Sequence, residues 1–75
     1  MSESLAMWTV YDHPRDHPDH FVARLAFVSG TGGLVMTETT ITAATLEQLR
    51  GLLPPGLCRI ARHPDDDANI VEIWL

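Results

Sequence analysis

Hydrophobic and polar residues alternate along much of this 75-residue chain, and their spacing outlines five strands and one helix. Between residues 20 and 29, Phe21, Ala23, Leu25 and Phe27 fall on one side, with His20, Val22, Arg24, Ala26 and Val28 on the other. That period of two is the one a pleated strand imposes. Residues 6–11 combine β-branched and aromatic side chains and predict an earlier strand, in which Trp8 and Val10 oppose Met7, Thr9 and Tyr11. Gly30-Thr31-Gly32-Gly33 reads as a turn and residues 34–42 as a third, Thr-rich strand, so the second and third strands form a hairpin. The period then lengthens. Leu46, Leu49, Leu52 and Leu53 keep the spacing of one apolar helix face. Thr45 is placed to cap that helix, with Gln48 three residues on; Thr42 is an alternative cap that would add Ala43 and Ala44. Pro54-Pro55-Gly56 stops it.

Residues 57–62 predict a fourth strand, with Cys58 and Ile60 opposite Arg59. Residues 70–75 predict a closing strand, in which Val71, Ile73 and Leu75 turn toward the helix and Ile70, Glu72 and Trp74 away from it. The segment 12–19, broken by Pro14 and Pro18, and the acidic stretch 63–67 are expected to be loops. The order β-β-β-α-β-β defines an α+β class: a four- or five-stranded, mainly antiparallel sheet with one helix packed on one face. Residues 1–5 are expected to be disordered, and 6–75 to form a single domain.

Size adds a constraint. A helix of nine to twelve residues is about 14–18 Å long, whereas five strands make a sheet about 24 Å across. One helix therefore leaves much of the sheet uncovered. The outward set Tyr11, Val22, Arg24 and Trp74 mixes aromatics with arginine, a composition typical of interface centres. A docking face for a protein partner, or for a second copy of the chain, is expected there.

Charge narrows the partners. Six Asp and four Glu face five Arg and no Lys, giving a net charge of −5. Such a surface repels phosphate backbones, and the arginines at 15, 24, 50, 59 and 62 are scattered, so nucleic-acid binding is not expected. Cys58 is the sole cysteine, which excludes an internal disulfide and suits a reducing compartment; it is read as a buried, inert thiol. The segment Met1-Ser-Glu-Ser-Leu-Ala lacks the basic and apolar regions of a signal peptide, and no apolar run reaches the length of a membrane span. A cytoplasmic protein without a membrane association is expected.

Chemical motifs are sparse. His13, His17 and His20 lie among Asp12, Asp16 and Asp19, and imidazole with carboxylate is a common metal-ligand set. Their spacing would converge on a helix, which Pro14 and Pro18 oppose. A metal site at these histidines is the second reading, a solvated Asp-His-Pro turn segment the first. The Gly30–Gly33 segment lacks the lysine and following helix of a P-loop, and Asp65-Asp66-Asp67 lacks the register of a calcium loop. No nucleophile is set against a base. The chain is read as a non-catalytic, self-associating interaction or accessory module with no cofactor.

One resemblance accompanies this reading. Met7-Trp8-Thr9-Val10-Tyr11-Asp12-His13-Pro14 with Phe21-Val22-Ala23-Arg24, Thr45-Leu46-Glu47-Gln48-Leu49-Arg50 with Leu53-Pro54-Pro55-Gly56-Leu57, and Pro64-Asp65-Asp66 with Ile70-Val71-Glu72-Ile73-Trp74-Leu75 resemble a family of small uncharacterised proteins from bacteria and their phages. The resemblance spans residues 7–75 and implies no activity, cofactor or site residue.

Overall fold

The computed structural model describes residues 4–62, 64 and 68–75. Its elements are β1 (Ser4–Asp12), β2 (Phe21–Ser29), β3 (Leu34–Ala43), α1 (Leu46–Leu52), β4 (Arg59–Ala61) and β5 (Ile70–Trp74). All neighbouring strands pair antiparallel, in the order β3-β2-β1-β5-β4. The fold is thus the expected α+β arrangement, with five strands. β3 and β4 occupy opposite edges, so the connection that contains α1 traverses one face of the sheet.

The alternation in β2 translates directly into packing. Trp8 pairs with Leu25 and Val10 with Ala23, which puts the odd-numbered row of β2 on the face that α1 covers. Trp8, Val10, Ala23, Ala43 and Leu49 form the core, with Phe21, Leu25, Ile41, Leu46, Leu53, Leu57, Val71 and Trp74 packed around them. The core is thin. Leu49, Val10 and Val22 are the largest side chains that are fully buried.

Thr45 is the helix cap: its Oγ1 accepts from the backbone N–H of Gln48 at 3.1 Å. The alternative start at Thr42 is excluded, because Thr42 and Ala43 are still paired in β3. The helix spans seven residues, shorter than expected from either end. At its C-terminus Leu53 is extended (φ −71°, ψ 150°), the conformation a residue before proline is pushed into. Gly56 then takes a positive φ of 87°, which a residue without Cβ tolerates.

Other boundaries also moved. β1 begins at Ser4, so Ser4 and Leu5 belong to the sheet rather than to a disordered leader; Leu5 pairs with Val28. Residues 1–3 and, Pro64 apart, the acidic stretch 63–67 lie outside the described residues. β4 is three residues long, although Cys58 and Leu75 extend the pairing by exchanging backbone bonds of 2.8 and 3.1 Å. Cys58 is exposed, not buried, because it stands on the short edge strand.

The closing strand shows the largest reversal. Pairing places Trp74 opposite Trp8 and Glu72 opposite Val10, on the helix face; a register shift after Val10 then sets Tyr11 against Ile70. Val71 is the extra residue of this bulge and also packs on the core. Glu72 and Trp74 therefore face inward, and Ile73 pairs with Thr9 on the other face.

The helix packs on the end of the sheet near Phe21 and Ala43 and leaves the hairpin end bare. Leu34, Val35 and Met36 are 56, 59 and 55 % exposed. The molecule is accordingly extended. Its radius of gyration is 12.4 Å, against about 11.3 Å for a compact domain of this length. Its accessible surface is 5130 Å², against about 4,600 Å² for a compact monomer of this mass.

Candidate functional site

Two regions hold most of the polar and exposed apolar side chains expected to have a role. The first is the face away from the helix. Tyr11 and Val22 are direct pairing partners there, and Arg24 pairs with Thr9 one step along. The Arg24 guanidinium lies over the Tyr11 ring at 5.3 Å, within cation–π range. Asp16 ion-pairs with Arg24, which ties the β1–β2 loop to this face. The sequence-derived face is therefore only partly open: Val22 is fully buried, and Tyr11 and Arg24 are half-buried. Trp74 does not join them. It lies on the helix face, opposite Trp8 and packed against the core.

Turns, not convergence, organise the histidines. The His17 N–H donates to the Pro14 carbonyl at 2.9 Å, and the His20 N–H to the His17 carbonyl at 3.3 Å. His13 sits at φ 47° with its ring edge against Phe21, centroids 4.9 Å apart, and its Nδ1 against the Asp12 carboxylate. His17 instead lies near Asp16. Among the described residues no group of three or more His, Cys, Asp or Glu side chains could hold a metal, so His13, His17 and His20 are not brought together as a ligand set.

Sequence reasoning missed a polar cluster on the helix face. Glu72 is 3 % exposed, yet its carboxylate is satisfied. Oε1 accepts from Arg50 Nη2 at 2.6 Å, while Oε2 accepts from Arg50 Nε at 3.0 Å and from Trp74 Nε1 at 2.6 Å. This is a two-pronged guanidinium–carboxylate pair, the strongest common geometry for such groups. Arg50 stands in the last turn of α1, where a cation also suits the helix dipole. The Arg50 hydrogen bonds hold the Glu72 carboxyl below its ordinary range against the opposing effect of burial, with Trp74 and the charge of Arg59 acting in the same direction as Arg50. The pair joins α1 to β5, so the cluster clamps helix to sheet.

A pH dependence follows. A carboxyl whose folded pKa is depressed contributes stability that is complete above its unfolded value, near 4.5, and is lost as pH falls through the folded value. The thermal midpoint should therefore drop as pH falls below about 5, and Glu72→Gln should flatten that part of the profile. Equal acid slopes in the two proteins would remove Glu72 from the account.

The second region is the bare hairpin end. Away from the helix, the register lines up Leu5 with Val28 and Leu34, and Met7 with Ala26 and Met36. On the helix side Ala6 lines up with Phe27 and Val35. Residues 27–37 contain no ionisable side chain. Further across the sheet, Ile73 pairs with Ile60, which is 44 % exposed.

No protein-family profile matches the chain, and no characterised protein or solved structure matches it either. Among the described residues no helix is long and apolar enough to cross a membrane.

Proposed function

We propose that the protein is a non-catalytic interaction module that self-associates, and that its docking region is the uncharged hairpin end of the sheet. The supporting observation is the run Leu34-Val35-Met36, more than half exposed at all three positions, flanked by Leu5 at 53 %. Full burial of such side chains is worth about 1.5–3 kcal/mol each, so leaving half of each in water forgoes about 1 kcal/mol per residue. In a small domain with a thin core that is a large unused stabilisation, and a partner surface recovers it. Tyr11 and Arg24, beside the buried Val22, make a loop-anchored polar end of the same face. An accessory role in the cytoplasm suits the unpaired thiol and the resemblance to small bacterial and phage proteins.

Native mass spectrometry of the untagged protein tests this reading. The expected species is a metal-free dimer at twice the 8.3 kDa chain mass. A monomer at every concentration up to about 100 µM would overturn self-association, since a biological homodimer generally holds together at micromolar levels.

A further inference from the structure

Within that self-association reading, we infer the pairing geometry: β3 of one copy adds to β3 of a second copy as antiparallel edge strands about a two-fold axis at Val35, joining the two sheets into one. The inference deepens the proposal above and rests on it.

β3 is the long edge strand of the sheet, and apart from Glu38 its ten residues carry no charge and no proline. Those are the devices by which edge strands usually avoid pairing, and here they are scarce. The two present coincide at residues 37–39, where the charge of Glu38 sits in a bulge: three residues of β3 stand against Leu25, with Thr37 Oγ1 donating to the Leu25 carbonyl at 2.8 Å and accepting from the Thr39 N–H at 3.1 Å. It leaves residues 34–36 as a regular edge segment.

The backbone phase of that segment can be read from the hairpin. The Ser29 N–H donates to the Gly33 carbonyl at 2.8 Å, which marks Ser29 and Gly33 as a hydrogen-bonding position. Such positions alternate along an antiparallel pair, so Val35 turns its N–H and C=O inward to Phe27. Leu34 and Met36 turn theirs outward to solvent. These two residues are symmetric about Val35. In an antiparallel self-pairing centred on Val35, Leu34 of each copy faces Met36 of the other, and outward donor meets outward acceptor in both pairs. Val35 meets Val35 on the helix face as a close, non-hydrogen-bonded pair, while Leu34 and Met36 meet on the opposite face. Both sides of the new seam are apolar, as the exposure of three consecutive residues requires.

Charge at the seam is compatible with a second copy. Each chain is at −5, but the seam is uncharged and Glu38 falls opposite Gly32 rather than another Glu38. At physiological salt the remaining charges are screened beyond about 8 Å. The two-fold also closes the assembly, because the opposite edge is the three-residue β4.

Two variants test the geometry by sedimentation and circular dichroism. Met36→Pro removes an outward N–H without removing a bond to β2, a substitution an edge strand tolerates. It should leave the monomer's spectrum intact and weaken dimerisation at least 100-fold. Val35→Cys in a Cys58→Ser background should give a disulfide-linked dimer on mild oxidation, since Cα atoms of a close pair lie about 4.5 Å apart. A dimer that survives in folded Met36→Pro and does not cross-link at position 35 overturns the edge pairing while leaving self-association standing. A wild-type monomer overturns both. If Met36→Pro fails to fold, the cross-link decides: its absence in a dimeric protein is fatal to the inference.

Discussion

Replacing Arg50 by methionine is expected to lower stability by about 3 kcal/mol near pH 7, because it strands a buried carboxylate. Removing one partner of a buried ion pair costs about 3–5 kcal/mol; the lower end applies here, since the Arg50 side chain is 36 % exposed and its charge is partly screened. For a domain of this size the midpoint should fall by more than 10 °C, at about 4–8 °C per kcal/mol. The pH dependence should also change. Without Arg50 the largest influence holding Glu72 down is gone while burial remains, opposed by Trp74 and Arg59, so its pKa rises above the wild-type position. The loss caused by the substitution should therefore be smaller in acid than at pH 8. Adding Glu72→Met to Arg50→Met removes the stranded charge and should recover most of the loss. A single variant within 1 kcal/mol of wild type at pH 8, or a double variant no better than the single, would show that Glu72 is not held by this clamp.

That pair also marks where sequence reading reached its limit. The strands with unbroken alternation were legible: the inward row of β2 and the inward Trp8 and Val10 of β1 stand where period two puts them. So was the hairpin, and so was the Thr45 cap, whose chemistry is local. The closing strand was not. Its residues Ile70, Val71, Ile73, Trp74 and Leu75 are apolar on both sides, so hydrophobicity alone does not set the phase. Glu72 points inward because Arg50, 22 residues away, supplies its partner, and that contact depends on β5 lying beside β1. A lone acid in an apolar strand was the available signal: it either faces water or has found a cation. The bulge between Val10 and Tyr11 adds a second phase change that no periodicity displays. Trp74 misleads in the same way: alternation places it on the face away from the helix with Tyr11 and Arg24, whereas its pairing with Trp8 sets it on the helix face.

The other large effect is expected at Leu49. It is fully buried and is the buried residue of α1, set against Trp8, Val10, Ala23 and Ala43. Leu→Ala in such a site costs about 2–5 kcal/mol through lost transfer energy and a residual cavity. A seven-residue helix has too few internal hydrogen bonds to persist alone, so its docking, not its propensity, keeps it formed. Total stability for a chain this size is about 4–11 kcal/mol, so Leu49→Ala should remove a large part of it. Leu52→Ala, on a residue 57 % exposed, should stay within about 0.5 kcal/mol. The comparison must be made at fixed protein concentration, because dimerisation adds its own stabilisation. Loosening the helix also draws Arg50 away from Glu72, so Leu49→Ala and Arg50→Met report partly on one event. Their double variant should lose less than the two single losses together. Full additivity would mean that Leu49 packing and the Arg50–Glu72 pair hold the helix independently, and the clamp would then be an ion pair laid on an already fixed scaffold.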